Sequence, residues 1–313
     1  MMNFFLALLS SSDIIMQATF IAAVPLLLGA LGETLTQRAG VINIGLEGLL
    51  LTGAFAGMTG SYMTGSPVFG VLLGAISGAV LAALFALLTI GLGTNQIVTG
   101  VSINLLAIGM TGVCYREIFG VTGQALIVAT FSPLSLPFLS EIPFFGPAFF
   151  QHTPLVYLSI LLVPLLNFFL FHTRGGLQIQ AVGEHPQAAE TLGISVLKIR
   201  TLVVLSEGLL GGIAGSYLSL AYSNTFIEGM SAGRGFIALA IVIFGRWRPI
   251  GVFFATLFFG GATALQFHLQ ALGSSLPYQF VLILPYILTL FALACSRTSL
   301  SAPAALGEPY KRE

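Results

Sequence analysis

The sequence is divided into nine apolar runs, at about Ile14–Gly32, Gly48–Thr64, Val68–Gly93, Ile97–Val113, Pro154–His172, Thr201–Tyr222, Phe236–Gly245, Ile250–Gln270 and Pro277–Cys295. Most are near the roughly 20 residues an α-helix needs to cross a bilayer. Repetition at that length constrains the fold more than any motif, because a spanning segment must satisfy its backbone hydrogen bonds internally. The expectation is an all-α polytopic transmembrane bundle of about 8–10 spans, a single transmembrane domain over residues 1–313. Composition agrees: 56% of residues are hydrophobic and 7% charged, against roughly a quarter charged in a soluble domain. Met1 to Ser12 has no positive n-region and no convincing A-x-A site, so it is read as part of a retained first span and not as a signal peptide.

Charge sets the orientation. One parity of loops collects Arg38, Arg174, Lys198, Arg200, Arg246, Arg248, Arg297, Lys311 and Arg312, leaving Arg116 and Arg234 on the other side. The positive-inside rule puts the larger set in the cytoplasm, with the N-terminus outside and the C-terminus cytoplasmic. The 11 basic and 11 acidic residues balance, which removes the electrostatic case for nucleic acid. Cys114 and Cys295 stand far apart and outside any C-x-x-C or Cys/His cluster, so no disulfide scaffold, metal site or cofactor is indicated. Neither Lys198 nor Lys311 ends a P-loop, and His185 begins no H-E-x-x-H helix. A hydrolase pair of Ser216 and His268 is conceivable, but nothing in the sequence brings them together.

Two connections exceed what joining helices requires. The outer one, 114–153, carries four prolines and many phenylalanines; it reads either as an interfacial loop packed on the bundle or as a docking surface for an extracytoplasmic partner. The inner one, 173–200, is the most polar stretch and holds Glu184, His185, Glu190, Lys198 and Arg200. Within it, Pro186 to Leu192 reads as a short helix with Gly193 at its exit. Its two adjacent alanines allow close approach by a soluble partner, or the helix lies on the bilayer surface.

Two glycine-rich segments, Gly40–Gly48 and Gly229–Gly235, each lead into a shorter apolar run, a turn with proline, and a long span. By the charge parity they cross in opposite senses, as in an inverted repeat with discontinuous helices. Such segments either line a pathway or pack helices closely, as Gly53/Gly57, Gly74/Gly78, Gly208/Gly212 and Gly211/Gly215 also can. Polar residues recurring near them are Asn43, Glu47, Asn95, Gln96 and Asn104. Neutral carboxamides suit a hydrogen-bonding solute such as a nucleoside or sugar, and equally suit interhelical bonding. Glu47 and Glu207 are the ionisable groups inside apolar runs, and keep a proton-coupled secondary transporter open as an alternative.

The stretch Gly32-Glu33-Thr34-Leu35-Thr36-Gln37-Arg38 through Gly48, Thr94-Asn95-Gln96-Ile97-Val98-Thr99-Gly100 with Asn104, Ser140-Glu141-Ile142-Pro143 with Gly146, the loop Gly183–Ile194, and Gly229–Gly251 resemble the permease subunits of bacterial ABC importers. The matching group is the branched-chain amino acid, ribose and nucleoside permease superfamily, and the resemblance is nearest to the shorter permease of purine-nucleoside importers. It implies a transport subunit of the inner membrane with no catalysis of its own. The implied partners are an ABC ATPase, a second and longer permease, and an extracytoplasmic substrate-binding lipoprotein, which gives the outer loop a use. It also implies that the inner-loop helix is a coupling helix, with Glu184, Ala188, Ala189, Glu190 and Gly193 as ATPase contacts. An arginine at 189 is then expected to block the partner without touching the bundle. Glu207 departs from the family pattern, and no role for it transfers. Sugars and other small solutes remain alternative cargo.

Overall fold

The computed structural model describes residues 12–120, 126–135, 149–271, 287 and 302–310. The apolar run Pro277–Cys295 falls outside the described residues apart from Ile287, as do the start of the chain and the Ser140–Gly146 motif. Every other apolar run of the sequence is helical. The order is α1 (Ser12–Arg38), α2 (Leu46–Thr64), α3 (Pro67–Ala86), α4 (Gln96–Phe119), α5 (Pro154–His172), α6 (Arg174–Glu184), α7 (Pro186–Thr191), α8 (Val196–Tyr217), α9 (Arg234–Phe244) and α10 (Pro249–Ala271). Single π-helical turns, Leu87–Gly91 and Leu218–Tyr222, extend α3 and α8. Five segments among the described residues are long and apolar enough to cross a membrane: Asp13–Arg38, Pro67–Gly91, Gln96–Phe119, Pro154–His172 and Pro249–Ala271.

Local chemistry explains where these helices start and stop. Gly65 takes a left-handed φ of 67° and returns its N–H to Ser61 O, which closes α2. Pro67 then occupies the first turn of α3 behind Ser66, whose hydroxyl accepts from Phe69 N. Asn95 caps α4 by accepting from the N–H groups of Ile97 and Val98.

The centre of the molecule is the contact of α8 with α2 and α3. Small residues form the seam: a Cβ on Gly53 or Gly78 would strike Gly212 or Gly208 backbone, and one on Gly215 would strike Leu50 O. Close backbone approach through such residues is how helices pack where lipid removes the hydrophobic drive for helix association. Ser216 belongs to this seam, its hydroxyl donating to Gly212 O at 2.8 Å and Gly53 O at 3.3 Å. α1 lies across α8, α9 and α10, and buried leucines of α1 and α2 join Phe85, Tyr217, Trp247 and Phe259 in the main apolar core. The outer faces of α3 and α4 stay apolar and exposed, with Val68, Leu72, Val101, Leu105 and Ile108 pointing away from the chain. That pattern suits lipid or another membrane subunit, not water.

The described part of the outer loop packs on the bundle. Val128 N donates to Asn224 O, Phe131 N to Leu220 O, and Ser61 Oγ to Ala129 O. A two-residue antiparallel pair joins β1 (Leu134–Ser135), midway along the loop, to β2 (Gln151–His152) just before α5.

Candidate coupling face and helix break

The chain turns sharply between α1 and α2, over residues 39–45, and this elbow organises the surrounding polar groups. Gly40 has φ 83°, and Val41 N returns to Thr36 O at 2.9 Å. Asn43 Oδ1 accepts from Gly45 N at 2.9 Å, a local side-chain turn of the kind asparagine makes readily. The elbow is then held to α4 by two carboxamides. Gln96 Oε1 accepts from Ile42 N at 2.8 Å; Asn104 Oδ1 accepts from Gly48 N at 2.8 Å while its Nδ2 donates to Ile44 O at 2.9 Å. Of the five polar residues singled out in the sequence, Asn43, Gln96 and Asn104 gather around the elbow, and all five use their side chains on main-chain groups.

Glu47 lies one residue into α2, and its carboxylate reaches the start of α9. Oε1 accepts from Gly233 N and Oε2 from Gly235 N, each at 2.7 Å. A carboxylate on the free N–H groups of a helix start is a favourable arrangement. Gly235 is required for it, since a Cβ there would collide with the Glu47 backbone. The two glycine-rich segments of the sequence therefore meet at the N-terminal ends of α2 and α9.

A second carboxyl group sits on the other side of the elbow, at Glu33 on α1. It is fully buried and accepts from Gln37 Nε2 at 2.7 Å, Asn43 N at 3.3 Å and Thr36 Oγ1 at 3.3 Å. Gln37 Oε1 takes the Trp247 indole N–H at 2.6 Å, and Arg38 Nε donates to Trp247 O at 2.8 Å. Glu207 of α8, also fully buried, faces Glu33. Sequence reasoning noticed Glu207 but passed over its partner. The sequence signal was partial: an acidic residue in an apolar run calls for a cavity, a partner or an interface, without naming which.

On the side carrying α6 and α7, Gly183 packs so tightly on the elbow that a Cβ would strike Arg38 O. The segment 302–310 is laid over this junction. Ala305 N donates to Gly183 O and Gly307 N to Gly40 O, and Ala304 N donates to Glu184 Oε2 at 3.2 Å. Arg200 fastens both layers, with Nε on Ala39 O at 3.0 Å and Nη1 on Glu308 O at 2.9 Å.

α7 stands on an apolar base made by Val182, Ala189 and Val196. Ala189 is only 3% exposed, which corrects the expectation that arginine at this position would spare the fold. Ala188 and Gly193 are exposed, as is Glu184, and Glu190 is half-buried. Leu192 is 80% exposed, an apolar side chain that the sequence analysis did not single out. A six-residue helix has too little periodicity to tell its two alanines apart.

Separately, α2, α3 and α4 enclose an open groove of about 490 Å³ lined by Thr52, Phe55, Thr59, Ser77, Leu106 and Met110 among others. Its walls are almost wholly apolar, since the hydroxyls of Thr52, Thr59 and Ser77 donate to carbonyls of their own helices.

Apolar helices of spanning length, glycine seams between them and a polar face of short helices at one end define a multi-pass membrane protein. The comparisons give the class its family. The model of the branched-chain amino acid transport system permease component matches residues 15–293, and the chain belongs to that family. It is 39% identical over 309 residues to the guanosine ABC transporter permease protein NupQ of Bacillus subtilis, covering 95% of this chain and 96% of that one. It is 37% identical to the nucleoside ABC transporter permease protein NupC of Lactococcus lactis, covering 95% and 96%. Identity is also 37% to the putative glucose ABC transporter permease protein TsgC13 of Haloferax volcanii, covering 96% and 98%. No solved structure matches the chain. Its role is that of a transport component.

Proposed function

We propose that the chain is one permease of an ATP-driven importer for nucleosides, purine nucleosides first, and that it works as half of a transmembrane pathway beside a second, longer permease. An extracytoplasmic binding lipoprotein delivers the solute. A separate ABC ATPase supplies the energy in the cytoplasm, on the side of α6 and α7. The protein then sits in the bacterial inner membrane with its C-terminus cytoplasmic, in keeping with the positive-inside count.

The observation that carries the coupling part is the build of α7. It presents Ala188 and Leu192 outward from a base that its own chain fills, and that base abuts the elbow through Gly183. A push on α7 therefore reaches α1, and through the elbow reaches Glu47 and α9. Glu184, Glu190 and Gly193 frame the same contact, while Ala189 supports it from within.

For the substrate, full-length similarity to a guanosine and a nucleoside permease supports the nucleoside reading. The groove between α2, α3 and α4 has the size of a small-molecule site, and its apolar wall suits an aromatic base. Asn43, Glu47, Asn95, Gln96 and Asn104 contribute to the pathway by holding its backbone in shape. Similarity to a putative glucose permease favours a sugar as the second reading.

The test is uptake of radiolabelled guanosine by the complete complex in vesicles, with ATP inside and excess unlabelled nucleoside, ribose, glucose or leucine outside. Nucleosides compete, and uptake needs ATP and survives collapse of the proton gradient. Displacement by sugars alone replaces the substrate; uptake by the isolated chain on a pH gradient replaces the mechanism.

A further inference from the structure

Glu33 and Glu207 are both fully buried, on α1 and α8, and their carboxyl groups face each other. Gly32 makes the approach possible: a Cβ there would stand 3.0 Å from Glu207 Cα and 3.2 Å from its Cγ. The donors around the pair are unevenly shared. Glu33 has three within reach: Gln37, the Asn43 main chain, and Thr36, whose hydroxyl it shares with its own main-chain O. Neither oxygen of Glu207 is in hydrogen-bond geometry with a donor, although the Thr36 hydroxyl and the buried Asn43 Nδ2, itself without an acceptor, both lie on its side. No arginine is among the groups acting on either carboxyl: Arg200 bonds Ala39 O and Glu308 O through Nε and Nη1, and Arg38 bonds Trp247 O. Glu47, on the far side of the elbow, is taken by Gly233 and Gly235.

Two ionised carboxylates facing each other in a dry interior repel, and each forfeits hydration. One added hydrogen resolves both difficulties. We propose that Glu33 and Glu207 form a binding site for a single proton, resident on Glu207 and donated to Glu33, which latches α1 to α8 behind the elbow. Glu207 then donates through one oxygen, and its other oxygen accepts from Asn43 Nδ2. The pair carries one negative charge, spread over Glu33 and the three donors within its reach. The proton stays in place through transport, so the site is a latch and not a proton pathway, and it stands independently of which solute the chain carries.

The experiment uses the assembled transporter complex in detergent and in proteoliposomes. Infrared difference spectra between water and heavy water are expected to show a buried protonated-carboxyl stretch that disappears in Glu207→Gln and in Glu33→Gln. In Glu207→Gln the amide N–H replaces the acid O–H, so the complex is expected to assemble and to retain uptake within about twofold. Its melting temperature is expected to stay flat as pH rises above the ordinary carboxylate range, whereas that of the unmodified complex falls, because the folded state holds a proton that the unfolded chain releases. The proposal is overturned if the unmodified complex lacks the protonated-carboxyl band. It is overturned equally if Glu207→Gln keeps the same pH dependence, or if sodium or potassium raises the melting temperature of the unmodified complex alone, which would place a metal cation between the carboxylates. Should Glu207→Gln fail to assemble, the band in the unmodified complex and its loss in Glu33→Gln decide the matter.

Discussion

Glu47 accepts the main-chain N–H of Gly235, 188 positions later in the chain, at 2.7 Å. With the matching bond from Gly233, one side chain thus fixes the start of α9 to the start of α2. The two glycine-rich segments that stand apart in sequence are a single construction in space.

Replacing Glu47 tests that construction. Charge-assisted bonds of this kind are worth about 1.5–3 kcal/mol each, so Glu47→Ala is expected to destabilise the protein by about 2 kcal/mol or more, with Glu47→Gln losing less because it keeps one acceptor. Thermal unfolding of the purified complex reads both. Equal melting temperatures for all three proteins would show that the cap is idle.

Asn104 offers a contrast between two roles. Its carboxamide holds Gly48 N and Ile44 O, so Asn104→Ala is expected to lower the melting temperature and to cut the maximal uptake rate severalfold with little change in KM. A raised KM at unchanged stability would instead make Asn104 a direct solute contact.

The two alanines of α7 are expected to behave differently when made large and charged. Ala188→Arg leaves the melting temperature of the permease alone unchanged and prevents co-purification of the ATPase. Ala189→Arg must force a guanidinium into the Val182 and Val196 base, and overpacking a filled site costs about 1–3 kcal/mol before any charge is counted. It therefore melts earlier even without a partner. Identical behaviour of the two variants would remove the inside and outside assignment.

Deleting residues 302–313 removes the layer that Arg200, Gly183 and Gly40 hold in place. ATP hydrolysis by the complex is expected to continue while solute carried per ATP falls severalfold, measured as paired hydrolysis and uptake in vesicles. An unchanged ratio would make the segment a passive covering.

Much of this was readable from the chain. Apolar runs of about 20 residues became helices because a single segment of that length satisfies its backbone in lipid only by bonding to itself, and the glycine pairs became seams because small-residue spacing is itself a packing instruction. Less visible was where polar side chains would point. Asn104 and Gln96 looked like neutral hydrogen-bonding groups, and so they are, but their partners are Gly48, Ile44 and Ile42, which only the folded elbow brings near. Glu33 was hidden for a similar reason: it falls just past the apolar run that ends at Gly32, and only the approach of α8 over Gly32 makes it interior.

The seam between α2, α3 and α8 has a mechanical consequence. Where backbone atoms of Gly53, Gly78, Gly208 and Gly212 touch with no side chains between them, there are no rotamers to rearrange and no interdigitating layer to slide, so shear of the kind seen between ordinarily packed helices has no room to occur. These three helices travel as one stiff block. Any rocking that opens the pathway to alternate sides must be taken up at its borders, where α4 meets the block through Ile103, Ala107 and two carboxamides and where the elbow turns.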